Sequence, residues 1–123
     1  MGPAENDYLQ GAKGNAMQEL PPAFKQFAAD HPAVHQAYEG LAKAAHESGP
    51  LDPRTRHLVK LAISVGAGME GAVRSHVGQA KDAGVTEAEI DHVILLSLTT
   101  IGLPSMVAAR TWMRRALSEK SEG

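Results

Sequence analysis

Residues 52–65 read D-P-R-T-R-H-L-V-K-L-A-I-S-V. An acid followed by proline is a helix start, with Asp52 as the cap and Pro53 in the first turn, where its missing N–H costs nothing. Leu58, Leu61, Ala62 and Val65 then recur at three and four residues. Val59 and Ile63 lie on another side, leaving only Arg56 and Lys60 to mark a polar face. A helix apolar on most sides is central to its fold.

The pattern continues outward with the same period. Glu70 to Ala83 is a helix ended by Gly84. Thr86 and Glu89 form a capping box for a fifth helix, in which Ile90, Val93, Ile94, Leu95, Leu96 and Leu98 cover almost the whole circumference. Gly102 and Pro104 separate it from a sixth, with Met106, Ala109, Met113 and Ala116 in one stripe. Toward the N-terminus, Ala33 to Ser48 carries Val34, Ala37, Tyr38, Leu41 and Ala45 on one side. Met17, Leu20, Phe24 and Phe27 form an earlier helix, and Asp30-His31-Pro32 is the turn between these two. Residues 1–16, with Gly2, Pro3, Gly11 and Gly14, read as a flexible arm. No stretch alternates with period two. The expected fold is all-α with about six helices, forming one domain over residues 17–119.

Composition narrows the function. The 123 residues carry a formal net charge of −2 with no basic run beyond Arg114-Arg115, so a nucleic-acid partner is not expected. No cysteine is present, which removes disulfides, thiolate metal sites and thiol nucleophiles. The longest uncharged run, Val93 to Ala109, is broken by Gly102 and Pro104 and is too short for a membrane span. No signal pattern opens the chain, and a cytoplasmic location is expected. The fifth helix has too little polar face for a small monomer. Exposing several Leu and Ile side chains forfeits ~1.5–3 kcal/mol each, so a homo-oligomer is expected.

Four groups stand out chemically. His76 shares a stripe with Met69, Val73, Val77 and Ala80, so its imidazole points inward among apolar neighbours, either as a satisfied core histidine or as an acid–base group. Glu70 and Arg74 stand at i, i+4 on the border of that stripe, either as a surface salt bridge or as a flank of the His76 cavity. His57 lies one turn into the third helix. Arg54 and Arg56 occupy a first turn, where the helix dipole disfavours cations, which points to an anion or an acid that they answer. His57, Glu70 and His76 have the composition of a two-histidine, one-carboxylate metal set, but no HxH or HExxH spacing supports one, and neither metal nor cofactor is expected. His31, His35, His46 and His92 read as turn or surface residues.

The stretch from Leu51 to Arg115 contains L-D-P-R-T-R-H-L-V-K-L-A, then G-M-E-G-A-V-R-S-H, A-G-V-T-E-A-E-I and G-L-P. This resembles the carboxymuconolactone decarboxylase family, within the alkylhydroperoxidase D-like superfamily. The resemblance implies a helical subunit assembled into trimers or hexamers, with the active site around the helix that carries His76. In the redox branch a Cys-x-x-Cys pair precedes that histidine. Met69 and Ala72 stand at those positions and His57 at the glutamate of the proton relay, so thiol-dependent peroxide reduction has no residues to run on. The decarboxylase branch matches at Arg54, Thr55 and Arg56, and at Gly68, Glu70, Arg74 and His76. It departs at His57, Ala72 and Thr100.

The resemblance implies a cofactor-free loss of carbon dioxide from a small carboxylated lactone. Arg56 and Arg74 would hold carboxylates, His76 would donate a proton, Glu70 would orient His76 or His57, and His57 would be a second acid–base group. The competing readings are a non-catalytic or ligand-binding helical oligomer and a metal-dependent antioxidant enzyme. A pocket closed by Met69 and Met106 over a sealed His76 would favour the non-catalytic one.

Overall fold

The computed structural model describes residues 22–122, with side chains through residue 119. The expected arm over residues 1–16, and Met17 and Leu20 of the first helix, lie outside the described residues. The described chain is helical, without strands: α1 (Pro22–Asp30), α2 (Pro32–Glu47), α3 (Pro53–Ala67), α4 (Glu70–Asp82), α5 (Glu87–Leu96), the single turn α6 (Leu98–Ile101) and α7 (Leu103–Glu122). The all-α reading holds. The chain divides into two compact units, residues 1–53 and 54–123.

In the first unit α1 packs on α2. Phe24 and Phe27 meet the His35 ring edge-on, at centroid distances of 5.6 and 6.4 Å. The Glu39 carboxylate lies 3.4 Å from His35 Nδ1. His46, read from sequence as a turn or surface residue, is instead buried near the end of α2. It lies on the side of α2 that carries the half-buried His35, Glu39, Ala42 and Lys43, whereas Val34, Tyr38 and Leu41 of the expected apolar stripe are exposed.

The second unit holds one apolar core. Leu61 and Val65 come from α3, Val73, Val77 and Ala80 from α4, Ile90 and Ile94 from α5, and Met106, Ala109 and Met113 from α7; Val85 joins them from the α4–α5 turn. The α4–α7 pairing is the most extensive in the unit. Gly84 takes φ +90° after α4, the left-handed conformation that a helix stop uses and that a Cβ would strain.

The fifth helix of the sequence reading is two pieces. Ser97 ends α5 by donating its backbone N–H and its hydroxyl to the Ile94 carbonyl, at 3.0 and 2.6 Å. This i→i−3 tightening breaks the α-helical ladder and re-aims the following turn. Gly102, at φ +101°, then separates α6 from α7. Pro104 lies in the first turn of α7, where it is tolerated.

Candidate functional site

On α3 the buried face is formed by His57, Leu61, Ser64 and Val65. Their spacing of three and four residues puts them on one side, so the apolar stripe that seats Leu61 in the core also draws the His57 imidazole inward. His57 is 5% exposed. Arg56 and Lys60 sit half-buried beside it. Burial, and then the neighbouring Arg56 guanidinium, hold the Lys60 pKa below the ordinary lysine value.

Arg54 answers an acid. Its guanidinium grips both oxygens of Glu89 on α5, with Nη1 donating to Oε2 at 2.6 Å. Glu89 also closes the capping box read from sequence: its carboxylate accepts from the Thr86 N–H at 2.9 Å, and its own N–H donates to the Thr86 hydroxyl at 3.1 Å. The bidentate hydrogen bonds from Arg54, and then those from Thr86, hold the Glu89 carboxyl at a pKa of about 2, against an ordinary 4.5. The folded state favours the charged form. Its contribution is therefore complete above pH 4.5 and is lost as the pH falls through about 2. Unfolding titrations of the wild type and of Glu89→Gln should differ at neutral pH and converge between pH 4.5 and about 2. A gap that does not change with pH would disprove this coupling.

On α4, His76 is half-buried and its Nδ1 atom is buried. Met69, on the same flank, is 60% exposed and so does not seal the imidazole. Glu70 and Arg74 occupy the other flank. Successive residues turn roughly 100° about the axis, which sets Arg74 roughly 160° and Glu70 roughly 120° away from His76. The structure thus joins Glu70 and Arg74 to each other and to α7, and turns both away from His76 on their shared helix. Glu70 lies 3.7 Å from Arg74 and 3.8 Å from Arg115. Arg74 Nη2 donates to both carboxylate oxygens of Glu119. A substrate carboxylate reaching Arg74 must therefore displace Glu119. An open depression of about 470 Å³ runs beside this network, lined by Thr111, Arg114, Arg115, Ser118 and Glu119.

Among the described residues no three His, Cys, Asp or Glu side chains gather into a metal-binding group. No helix there is long and apolar enough to cross a membrane. Three participants escaped the sequence reading. Arg115 and Glu119 pair with α4 across more than forty positions of chain, which no local spacing reports. Lys60 looked like a plain polar-face residue. The Arg56–Lys60 spacing of i, i+4 was the available signal that two cations share an edge.

A helical core from α3, α4, α5 and α7, with His76 on α4 and an Arg-Thr-Arg start on α3, defines an alkylhydroperoxidase D-like helical protein without the thiol pair. The chain belongs to the carboxymuconolactone decarboxylase family, which matches residues 32–115. It is 35% identical over 58 residues to an uncharacterized protein of Haemophilus influenzae, covering 47% of this chain and 51% of that protein. It is 28% identical over 78 residues to an uncharacterized protein of Cupriavidus necator, covering 63% of this chain and 69% of that one. The match thus spans about half the length of the first relative. No solved structure matches the chain.

Proposed function

We propose that the protein is a cofactor-free carboxy-lyase that decarboxylates a small carboxylated lactone in the cytoplasm. The observation that carries this reading is the exposure of His76. The ring is only half-buried and its flanking Met69 is open, although Nδ1 itself is buried. A purely structural histidine is expected to be sealed; a proton donor has to be reachable by its substrate.

In the proposed reaction the substrate is its own electron sink. The bond to the departing carboxylate breaks, carbon dioxide leaves, and the electron pair passes into the conjugated lactone carbonyl as a dienolate. His76 then delivers a proton to carbon. With a reference pKa near ~6.5, imidazole holds a transferable proton at neutral pH. Arg56 would hold a substrate carboxylate beside His57. Arg74 takes part only where Glu119 yields, and Glu70 serves to fix Arg74. His57 is a second acid–base group at the buried edge. The test is purified protein with 4-carboxymuconolactone at neutral pH, following substrate loss and carbon dioxide release. No turnover would refute the reading.

We also infer that the working form is a homo-oligomer, a trimer or hexamer as in the family. Leu95, Leu96, Ile101, Leu103 and Val107, in one run of chain from α5 to α7, are all at least 40% exposed. Exposed apolar groups in such number mark an interaction surface. The wild type should elute at a multiple of 13.0 kDa. Leu96→Glu combined with Leu103→Glu should shift it to the monomer in light scattering. A monomeric wild type would overturn the inference.

A further inference from the structure

The adjacent pair Arg114-Arg115 is the basic run of the sequence, and the proposed reaction uses neither residue. Both line the open depression of about 470 Å³ on α7, together with Thr111, Ser118 and Glu119. Successive residues turn roughly 100°, so Thr111, Arg114, Arg115 and Ser118 fall within one sector roughly 100° wide. Met106, Ala109 and Met113, on the opposite side of α7, are buried in the core. The core thus sets the rotation of α7 and turns both arginines outward on one face. Arg115 lies on the edge toward α4, where it meets Glu70, and Arg114 lies on the far edge.

The charges around this face do not balance. Arg74 Nη2 donates to both oxygens of Glu119, and Glu70 lies 3.7 Å from Arg74 and 3.8 Å from Arg115. Arg110, one turn before Arg114, is taken by Asp91 at 2.9 Å. Two carboxylates therefore serve Arg74 and Arg115, and among the described residues Arg114 has no ion pair. Arg115 is held from one side, at the long end of the ion-pair range. The hydroxyls divide in the same way. Thr111 donates to the Val107 carbonyl at 3.0 Å, so its proton is committed to the backbone. Ser118 makes no such bond among the described residues. The depression is bordered by an unpaired guanidinium, a loosely paired one and an uncommitted hydroxyl. Its carboxylate, Glu119, is already engaged by Arg74.

We propose that this depression binds the phosphoryl group of a small phosphate monoester. Such a group carries close to two negative charges at neutral pH and three acceptor oxygens. Arg114 and Arg115 approach it from edges roughly 100° apart, and Ser118 from one turn further along the helix. A carboxylate accepts hydrogen bonds largely in one plane. A tetrahedral phosphate accepts from several directions at once, which suits donors set around a helix face. Each guanidinium also matches two phosphate oxygens with paired donors. The arriving anion supplies the counter-charge that Arg114 lacks. The site is separate from His57 and His76, and it meets the proposed lyase machinery only through the hold of Glu119 on Arg74. Glu119 is also its one opposing charge, so the strength of the site depends on where that carboxylate lies.

The test uses the full chain and inorganic phosphate as the probe, by calorimetry at pH 7 and low salt. The wild type should bind with a Kd of about 1 mM or tighter, and more weakly as added salt screens the exposed cations. Arg114→Gln should weaken binding by at least about fivefold, and Arg114→Gln combined with Arg115→Gln should abolish it. Ser118→Ala should weaken it by about threefold, the loss of one neutral donor. Glu119→Gln removes the opposing charge and frees Arg74, so it should bind phosphate more tightly than the wild type. Arg114, Arg115 and Ser118 are exposed, so their variants should melt close to the wild type, and lost binding would not reflect lost folding. Malonate, whose two charges sit on planar carboxylates, should bind at least about fivefold more weakly than phosphate. No phosphate binding by the wild type, or binding by the double variant as tight as by the wild type, overturns the site. Malonate binding as tight as phosphate overturns the assignment to a phosphoryl group. Lactone turnover without phosphate should be the same in wild type and Arg114→Gln, so the site and the lyase reading fail separately.

Discussion

His76→Ala is expected to lower kcat on the carboxylated lactone by about 10²- to 10⁴-fold, the range that a positioned proton donor supplies. Loss of the imidazole leaves binding through Arg56 intact, so KM should move far less than kcat. The effect on stability should be small by comparison, because His76 is only half-buried on α4 and the core beside it is built from Val73, Val77 and Ala80. His76→Gln separates the two roles. It retains a polar side chain of similar reach, so it should fold like the wild type while failing to transfer the proton. Turnover by both variants at the wild-type rate would take His76 out of the mechanism.

Leu61→Ala is the substitution expected to cost most stability, about 2–5 kcal/mol. Leu61 is fully buried and, with Val65, is how α3 enters the core shared by α4, α5 and α7. Folded domains hold roughly 5–15 kcal/mol in all, so a loss of this size takes a large share of the total. It should show as a lower urea midpoint at unchanged slope. Because Leu61 lies one turn after His57, the same cavity should loosen that imidazole, and affinity for anions should fall with stability. A loss below about 1 kcal/mol would mean that α3 is not anchored through this side chain.

The fold was legible wherever its cause was local. The capping box at Thr86 and Glu89, the stop at Gly84 and most of the stripes of α3, α4 and α7 depend on residues within a few positions of each other and are present in the structure. Ala62 and Met69 of the expected stripes are exposed, as are Val59 and Ile63, so α3 is not buried on most sides. The break at Ser97 was not foreseen. The apolar run from Ile90 to Leu98 has one helical period throughout, and only the serine hydroxyl bonding back to Ile94 interrupts it. His46 was misplaced because a lone histidine near a helix end has no pattern of its own. The candidate site was legible in its members and less so in their pairing. The i, i+4 relation of Glu70 and Arg74 was visible. The hold of Glu119 on Arg74 and of Glu89 on Arg54 was not, since each joins helices far apart in sequence. The two flanks of α4 follow from its geometry alone. Placing Arg74 on the border of the His76 stripe ignored the two-residue step that turns the two apart.

Glu89 closes its own helix at Thr86 through Oε1 and grips Arg54 at the start of α3 with both oxygens, so Oε1 serves both partners. Its position therefore answers to two masters during sequence drift. Aspartate, one methylene shorter, would have to choose between them. Changes at Thr86 and Arg54, though these two side chains are not neighbours in sequence, should show non-additive effects because both act through one shared carboxylate. Among relatives, the three positions are expected to change together or not at all, so a lineage that loses the arginine is released to lose the glutamate and to cap the helix in another way.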